Sequence, residues 1–160
     1  MAEKMLIVTP SKCTGCRSCE MACSLHREGK CSPQLSRNRV VKFEAKGINI
    51  PTTCANCSKP YCMLVCPVKA ISVNADTGAV VVDETKCIGC RACSVACPFG
   101  QANYHPEKKI AFKCDLCFGD PVCVKFCPSG AIVYASMDEV LMAKRREFFS
   151  RFASEEGMIR

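Results

Sequence analysis

Aromatic side chains are scarce in this chain: among its 160 residues there is no tryptophan, and aromatic residues make up 7%. A core built mainly on large rings is therefore excluded. The N-terminal stretch MAEKMLIVTPSKC lacks both the apolar segment of a signal peptide and a twin-arginine pair, and no apolar run approaches membrane-spanning length. These absences predict a cytoplasmic protein without a transmembrane segment, folded as one domain or as two small ones that share a core.

Signatures of catalysis and of nucleic-acid binding are also missing. The chain contains no nucleophile triad, no nucleotide-binding glycine loop and no paired carboxylates suited to acid–base chemistry. Its formal net charge of +7 would suit a nucleic-acid-binding protein, but no aromatic-and-basic ladder or helix-turn-helix pattern accompanies it. We therefore expect a protein that is not itself an enzyme and that has no nucleic-acid partner.

Cysteine, by contrast, is abundant, with 17 residues in the chain. All of them except Cys31 fall into four runs of four, and the third run reads KCIGCRACSVACPFG. In a reducing cytosol, so regular a pattern of thiols indicates metal binding rather than disulfide formation. The runs are Cys13, Cys16, Cys19 and Cys23; Cys54, Cys57, Cys62 and Cys66; Cys87, Cys90, Cys93 and Cys97; and Cys114, Cys117, Cys123 and Cys127.

The spacing within the runs favours iron–sulfur clusters over disulfides and zinc. A disulfide scaffold requires an export signal. A structural zinc site uses two C-x2-C knuckles separated by a loop, whereas each run here packs a third and a fourth cysteine against the first pair. The spacing C-x2-C-x2-C-x3-C-P is that of bacterial ferredoxins, in which the last cysteine serves the other cluster. The four runs thus match four 4Fe–4S clusters, whose eight negative charges would bring the formal +7 to −1.

The four runs form two related pairs. The first and third are alike, KCTGCRSCEMAC and KCIGCRACSVAC, and the second and fourth both end in CP-x2-AI. The order A-B-A′-B′ indicates a duplicated unit. Between the second and third runs, AISV, the turn NADTG and AVVVD predict a β-hairpin that leads into the next cysteine loop, as in a two-cluster ferredoxin.

The predicted fold is α+β, with two interleaved ferredoxin-like modules of the bacterial dicluster type, short β-hairpins and a C-terminal helix. The second and third runs form one module at residues 50–100, inserted into a module made of residues 1–30 and 110–135. MLIVTPSK and AIVYAS each supply a strand to the outer module. The other possibility pairs neighbouring runs, but the segment between Cys97 and Cys114 lacks the same clear hairpin pattern.

Proline follows the last cysteine of three runs and turns the chain away from the cysteine loop without leaving a donor unpaired. Cys23 is followed by Ser24 instead, which departs from the ferredoxin signature. Gly15 and Gly89 lie inside their loops, where a side chain would obstruct the backbone's approach to sulfide. The prolines are Pro67, Pro98 and Pro128.

Residues outside the runs carry weaker signals. The stretch VVKFEAKGINI predicts a short strand pair, and the loop before it is basic, suited either to an acidic partner or to balancing cluster charge. We expect His26 and His105 on the surface, and Cys31 as an ordinary free or buried cysteine. The basic residues are Arg27, Lys30, Arg37, Arg39 and Lys42.

Residues 136–160 predict a helical tail, capped near Ser136 or Asp138. Its apolar stripe lies opposite a basic face. Two expectations are that the stripe packs on its own domain, or that it docks onto a partner subunit or another copy of the chain. A weaker expectation is that it contacts a membrane surface. The stripe is Val140, Leu141, Phe148, Phe149 and Phe152, and the basic face is Lys144, Arg145, Arg146 and Arg151.

With these motifs the chain resembles the small four-cluster electron-transfer subunits of anaerobic oxidoreductases. That family includes the iron–sulfur subunits of formate dehydrogenase, dimethyl sulfoxide reductase, hydrogenase complexes and tungsten aldehyde oxidoreductases. The resemblance extends from about residue 5 to 135 and is most specific in CIGCRACSVACPFG and KCDLCFGDPVCVKFCPSGAI. It implies that each cluster is held by the first three cysteines of one run and the last cysteine of its partner run.

Four ligand sets follow from the resemblance. Site I is Cys13, Cys16, Cys19 and Cys127, and site II is Cys114, Cys117, Cys123 and Cys23. Site III is Cys54, Cys57, Cys62 and Cys97, and site IV is Cys87, Cys90, Cys93 and Cys66. No aromatic residue replaces a cysteine, so four 4Fe–4S clusters and no three-iron centre are expected.

The resemblance implies a non-catalytic subunit that passes electrons between a tungsten, molybdenum or nickel–iron enzyme and a second electron donor or acceptor. A free polyferredoxin that shuttles electrons by collision is one alternative. A self-assembling, electron-conducting hub or filament subunit is another. Deletion of residues 138–160 separates them: it would abolish complex formation in the first case, change nothing in the second, and abolish self-association in the third.

Overall fold

The computed structural model describes residues 4–153 of the chain. Its helices and strands are short and joined by cysteine-rich loops and single turns of 3-10 helix. The strands are β1 (Lys4–Val8), β2 (Arg39–Phe43), β3 (Ile48–Thr52), β4 (Ile71–Val73), β5 (Val80–Val82), β6 (Asn103–Tyr104), β7 (Ala111–Phe112) and β8 (Ile132–Ser136). The helices are α1 (Ser18–Glu28), α2 (Tyr61–Leu64), α3 (Ala92–Ala96), α4 (Val122–Lys125) and α5 (Met137–Ala153).

Within this part of the chain the strands form four two-stranded antiparallel sheets, β1–β8, β2–β3, β4–β5 and β6–β7. The predicted hairpin after the second run is confirmed as β4–β5, with Ile71 opposite Val82, and the predicted strand pair in VVKFEAKGINI is β2–β3. One expectation is wrong, because the segment between Cys97 and Cys114 does contain a hairpin, β6–β7. Its strands have only two residues each, too few for an alternating pattern to stand out.

Strand β1 pairs with β8, the strand that follows the fourth cysteine run, and Lys4 lies opposite Ser136. Both strands predicted at the edges of the first and fourth runs therefore form, and they form against each other. The pairing brings the loop that contains Cys13 beside the loop that contains Cys127, a long way apart in sequence.

The first and third cysteine loops share one backbone conformation. Gly15 and Gly89 have φ of +71° and +68°, and Arg17 and Arg91, which precede α1 and α3, have φ of +61° and +62°. These are left-handed values, which a residue with a Cβ adopts only at a cost of about 1–2 kcal/mol. Their repetition is the structural counterpart of the A-A′ similarity in sequence.

Helix α1 differs from α3 in length because serine, and not proline, follows its last cysteine. Helix α3 ends at Ala96, just before Cys97 and Pro98, whereas α1 continues past Cys23 to Glu28. Ser24 is fully buried, and its hydroxyl donates to the carbonyl of Met21 at 3.1 Å. The departure from the ferredoxin signature thus adds more than a helical turn, which carries Glu28 toward the β6–β7 hairpin.

Cysteine thiols and small aliphatic side chains fill the interior. Of the aromatic residues within 4–153, Phe112 alone is buried, as the composition predicted. Ala79, Val80 and Ile132 are almost completely inaccessible. Because these side chains are small, the core leaves space beside the thiols, and large aromatic rings would fill that space.

A buried ionic group connects α1 to the β6–β7 hairpin. The Glu28 carboxylate lies 3.5 Å from Arg37 Nη2, 3.4 Å from His105 Nε2 and 3.1 Å from Lys108 Nζ. The expectation that His105 lies on the surface is therefore wrong, because the long α1 brings a carboxylate over it; only His26 is exposed. Arg37 is also buried, so it does not belong to a solvated basic loop.

Helix α5 begins after a capping box: the Glu139 backbone N–H donates to Ser136 Oγ at 3.3 Å, and the Ser136 N–H donates to the Glu139 carboxylate at 2.8 Å. The cap predicted at Ser136 is confirmed. The helix contacts β8, and its apolar side chains are largely exposed, so packing of the whole stripe on its own domain is wrong for the described residues. Phe148, Phe149 and Phe152 contact one another. Residues 1–3 of the predicted outer module and 154–160 of the predicted tail lie outside the described residues.

No helix within residues 4–153 combines the length and the apolar character needed to cross a membrane.

Candidate iron–sulfur sites

The thiols of sites I, III and IV surround three separate cavities. Each cavity is lined by all four cysteines of its site together with mainly apolar neighbours. Each is closed by the last cysteine of another run: Cys127 at site I, Cys97 at site III and Cys66 at site IV. All seventeen cysteines are free thiols, and between residues 4 and 153 no three His, Cys, Asp or Glu side chains converge where they could hold one metal ion.

The thiols of site II interact electrostatically, and three of the four, at Cys23, Cys114 and Cys123, are buried. Burial raises the pKa of Cys114, Cys117 and Cys123, and in each case a negative charge on Cys23 raises it further. Cys23 comes from α1, far from the other three in sequence. The structure therefore brings Cys23 near the three thiols of the fourth run, and their binding of one cluster stays a prediction.

Backbone N–H groups point at the last cysteine of three runs. Ala70 N donates to Cys66 Sγ and Gln101 N to Cys97 Sγ, both at 3.3 Å and both four residues after the cysteine, across the proline turn. Cys23 has no such turn. Its sulfur instead accepts a 3.3 Å hydrogen bond from Arg37 N, after the chain has passed the end of α1.

Burial and hydrogen bonding shift the pKa values of several thiols in opposite directions. Burial raises the pKa of Cys19 to about 12, with a contribution from the charge of Glu20, and it raises the pKa of Cys123 to about 12. Burial also acts to raise the pKa of Cys97 and Cys127, but backbone N–H donors outweigh it and lower the pKa of both. Hydrogen bonding thus favours the thiolate at Cys97 and Cys127, whereas the buried Cys19 and Cys123 ionise readily only beside a cation such as iron.

Shared packing puts the four sites in one linear order. Cys19 of site I packs in one apolar group with Cys123 of site II. Cys114 of site II packs with Cys54 of site III, and Cys62 of site III packs with Cys93 of site IV. The order is therefore I–II–III–IV.

Thiols are exposed at both ends of this series. Cys16 of site I and Cys90 of site IV are exposed, whereas the cysteines of sites II and III are buried or half-buried. Beside Cys16 runs an open groove of about 570 Å³, lined in part by Leu25 and Phe126. Cys31, exposed and outside all four sites, lies at the edge of the same groove.

Charged residues next to the sites were not identified from the sequence as part of them. Lys113 is 5% exposed and lines the cavity of site III, where its Nζ donates to the carbonyl of Val80 at 2.6 Å. Arg27 pairs with Asp115, next to Cys114, and its guanidinium lies over the ring of Phe118. Their sequence positions, one residue from a cysteine or on α1, were the available signal.

Two family models match the chain: a 4Fe–4S dicluster domain over residues 45–139 and a 4Fe–4S binding domain over residues 10–25. The polyferredoxin-like subunit of an aliphatic sulfonate oxidoreductase of Pyrococcus furiosus is 48% identical over 122 residues, 76% of this chain and 70% of that protein. One subunit of the anaerobic dimethyl sulfoxide reductase of Escherichia coli K12 is 35% identical over 153 residues, 83% of this chain and 73% of that protein.

A similar solved structure is a chain of the active site complex BamBC of benzoyl coenzyme A reductase with 1,5-dienoyl-CoA. Its TM-score is 0.50 at 26% identity, over 97% of this chain and 94% of that chain. The dicluster model alone spans more than half of the sequence, and the matched residues include those that line sites III and IV. The chain therefore belongs to the 4Fe–4S dicluster family, the iron–sulfur electron-transfer proteins that its cysteine runs resemble.

Proposed function

We propose that this chain holds four 4Fe–4S clusters, one at each of sites I–IV, and relays electrons between a catalytic oxidoreductase subunit and a second redox partner. The observation that carries the proposal is the linear series of four cysteine groups, each completed by a cysteine from a different run. When bound, a 4Fe–4S cluster takes up and releases one electron at a time.

The residues around the sites fit such clusters. Four thiols border one cavity at each of sites I, III and IV, and backbone N–H groups are already directed at several of the sulfurs. Hydrogen bonds to cluster sulfur and exclusion of water are the protein's main means of setting the reduction potential. The chain's part in electron transfer is then to bind, space and insulate the cofactors, without a catalytic group of its own.

The exchange of last cysteines between runs supports the two interleaved modules. Sites III and IV take all their cysteines from the segment between Cys54 and Cys97, and sites I and II take theirs from both sides of it. The pairing of β1 with β8 connects the strand before the first run with the strand after the fourth run, which supports an outer module of residues 1–30 and 110–135. We propose that the module at residues 50–100 is inserted into this outer module.

The exposed ends of the series are the proposed exchange points with partners. Cys16 at site I and Cys90 at site IV are reached from solvent, so one electron donor and one acceptor can approach opposite ends of the relay. The catalytic partner is proposed to be a tungsten, molybdenum or nickel–iron enzyme, as the family resemblance of the cysteine runs implies. That relatives are named as subunits of sulfonate and sulfoxide oxidoreductases supports an oxidoreductase partner in general. The cytoplasmic location stays a prediction.

The first test is a metal and sulfide inventory of the protein purified natively and without oxygen. Four clusters require about sixteen irons and about sixteen sulfides per chain. Stoichiometric tungsten, molybdenum or nickel in the same complex would identify the type of partner. About eight irons would contradict the four-cluster proposal, and zinc in place of iron would contradict it entirely.

Deletion of residues 138–160 tests the role of the tail. The exposed α5, with its three contacting phenylalanines, leads us to expect that the truncated chain keeps its iron but no longer copurifies with the catalytic subunit. A matched control replaces Lys144, Arg145 and Arg146 with glutamine and leaves the apolar stripe intact. Unchanged copurification after deletion would favour the free shuttle, and loss of self-association alone would favour the filament.

A further inference from the structure

The amino group of Lys113 is buried without a carboxylate partner. The residue is 5% exposed, its Nζ donates to the backbone carbonyl of Val80, and no acidic side chain in residues 4–153 pairs with it. Burying a cation destabilises the folded chain strongly unless an opposite charge compensates it. A single neutral carbonyl supplies only part of that compensation.

The side chain extends toward site III, although the residue itself precedes the first cysteine of site II. It lines the cavity that Cys54, Cys57, Cys62 and Cys97 surround. The missing negative charge is therefore what site III would contain.

We propose that Lys113 is the buried counter-charge of the cluster at site III and raises its reduction potential above the value that the thiolates alone would give. The inference rests on the proposed function, since it requires a cluster in that cavity. An oxidised cluster with four thiolates carries 2− and a reduced one 3−, so a fixed positive charge stabilises the reduced form more. Because site III is interior to the series, Lys113 makes one inner position of the relay easier to reduce than its thiolates alone would.

The duplicated sequence supplies a matched comparison. Lysine precedes the first cysteine in three of the four runs, at Lys12, Lys86 and Lys113. Lys12 is exposed, and the Lys86 side chain is 64% exposed and pairs with Asp83. Solvent screens both of these charges, so only the buried lysine acts strongly on its neighbouring site.

The experiment is an anaerobic redox titration of the full chain, monitored by electron paramagnetic resonance, for the wild type, Lys113→Met, Lys113→Gln, Lys113→Arg and the control Lys86→Met. The spectral component that changes in a Cys57→Ser variant identifies site III. We expect that component alone to titrate at a lower potential in the methionine and glutamine variants. It should stay near the wild-type value in the arginine variant and in Lys86→Met.

Iron and sulfide counts on every variant separate the possible failures. Too little iron in the wild type would refute the four-cluster proposal itself. Full iron with unchanged potentials in both neutral variants would overturn the role of Lys113 and leave the four clusters intact. Loss of about four irons in the neutral variants but not in Lys113→Arg would support a counter-charge needed for assembly. The same loss in Lys113→Arg would overturn it, because the site would then require the shape of lysine and not its charge.

Discussion

The Gly89→Ala substitution tests how closely the third cysteine loop is fitted to the β6–β7 hairpin. An added Cβ at Gly89 falls far inside van der Waals contact with the backbone carbonyl oxygen of Lys109, and the glycine has φ of +68°. This oxygen belongs to the backbone, so it cannot move away as the end of a flexible side chain could. The alanine is therefore strained by its backbone conformation and forced against the hairpin at the same time.

Two other glycines in the cysteine loops or beside them permit the two effects to be separated. Gly100 has φ of +63° with nothing within 4 Å of its added Cβ, so Gly100→Ala carries the backbone strain alone. Gly15 has φ of +71°, and its Cβ would lie 2.5 Å from Asn49 Oδ1, the end of a side chain that can move. The expected loss of stability is smallest for Gly100→Ala, larger for Gly15→Ala and largest for Gly89→Ala.

The magnitudes follow from the two terms. A left-handed conformation costs alanine about 1–2 kcal/mol, and the lower entropy of its unfolded chain returns about 0.4–1 kcal/mol. Gly100→Ala is thus expected to lose about 1 kcal/mol. Forcing an extra carbon into a packed contact adds about 1–3 kcal/mol, which brings Gly89→Ala to about 3 kcal/mol. That is a large part of the roughly 5–15 kcal/mol that stabilises a typical domain.

The assay is the guanidinium concentration at which half of the iron–sulfur absorbance is lost after a fixed anaerobic incubation, together with iron per chain. Cluster loss is irreversible, so the three variants are compared at one incubation time. We expect Gly89→Ala to lose iron first, by about four atoms per chain, because its loop contains two cysteines of site IV. Equal behaviour of Gly89→Ala and Gly100→Ala would refute the reasoning, since the clash with Lys109 would then contribute nothing.

Three further predictions concern the ionic group at Glu28 and the unpaired cysteine. Glu28→Gln leaves Arg37 buried without its carboxylate and should lower the free energy of unfolding by about 3 kcal/mol in chemical denaturation. The control Glu107→Gln, at an exposed ion pair, should change it by less than about 0.5 kcal/mol. Similar losses in the two variants would contradict a role for burial of the Glu28 pair. Burial acts to raise the pKa of Glu28, but the hydrogen bond and charge of Lys108, together with the charges of Arg37 and His105, lower it. The contribution of Glu28 to the free energy of unfolding is therefore complete above about pH 4.3, its pKa in the unfolded chain. That contribution is lost as the pH falls through the lower pKa of the folded chain. An acid-unfolding profile that keeps the same slope in Glu28→Gln would assign that loss to other groups. Cys31→Ala should retain the full iron content, because the residue is exposed and outside all four sites, and an iron loss measured by the same inventory would show that it is a ligand.

Much of the fold could be predicted because its signals are local. The NADTG turn between two alternating runs fixes the β4–β5 hairpin, and a serine three residues before Glu139 fixes the start of α5. The four cysteine runs carry their own spacing, so the candidate ligands could be read without any structure. Their grouping needed more, because spacing alone does not reveal that β1 pairs with β8.

The unpredicted features depend on distant parts of the chain. Lys86 and Lys113 occupy the same position before a cysteine run, yet only Lys113 is buried, because the carbonyl of Val80 receives its amino group. His105 is buried because α1 extends past Cys23 to place Glu28 over the hairpin. The residues next to Lys113 and His105 in the sequence do not indicate burial, because tertiary contacts decide it at both positions.

The cysteines of sites I and II lie on both sides of those of sites III and IV in the sequence, and this order has a consequence for synthesis of the chain. A nascent chain contains every cysteine around the cavities of sites III and IV once Cys97 has left the ribosome. Cys13, Cys16 and Cys19, by contrast, are made first, but the cavity of site I is complete only after Cys127 has been added. The middle of the chain can thus receive iron while its end is still being translated, and the oldest cysteines are the ones that need protection longest.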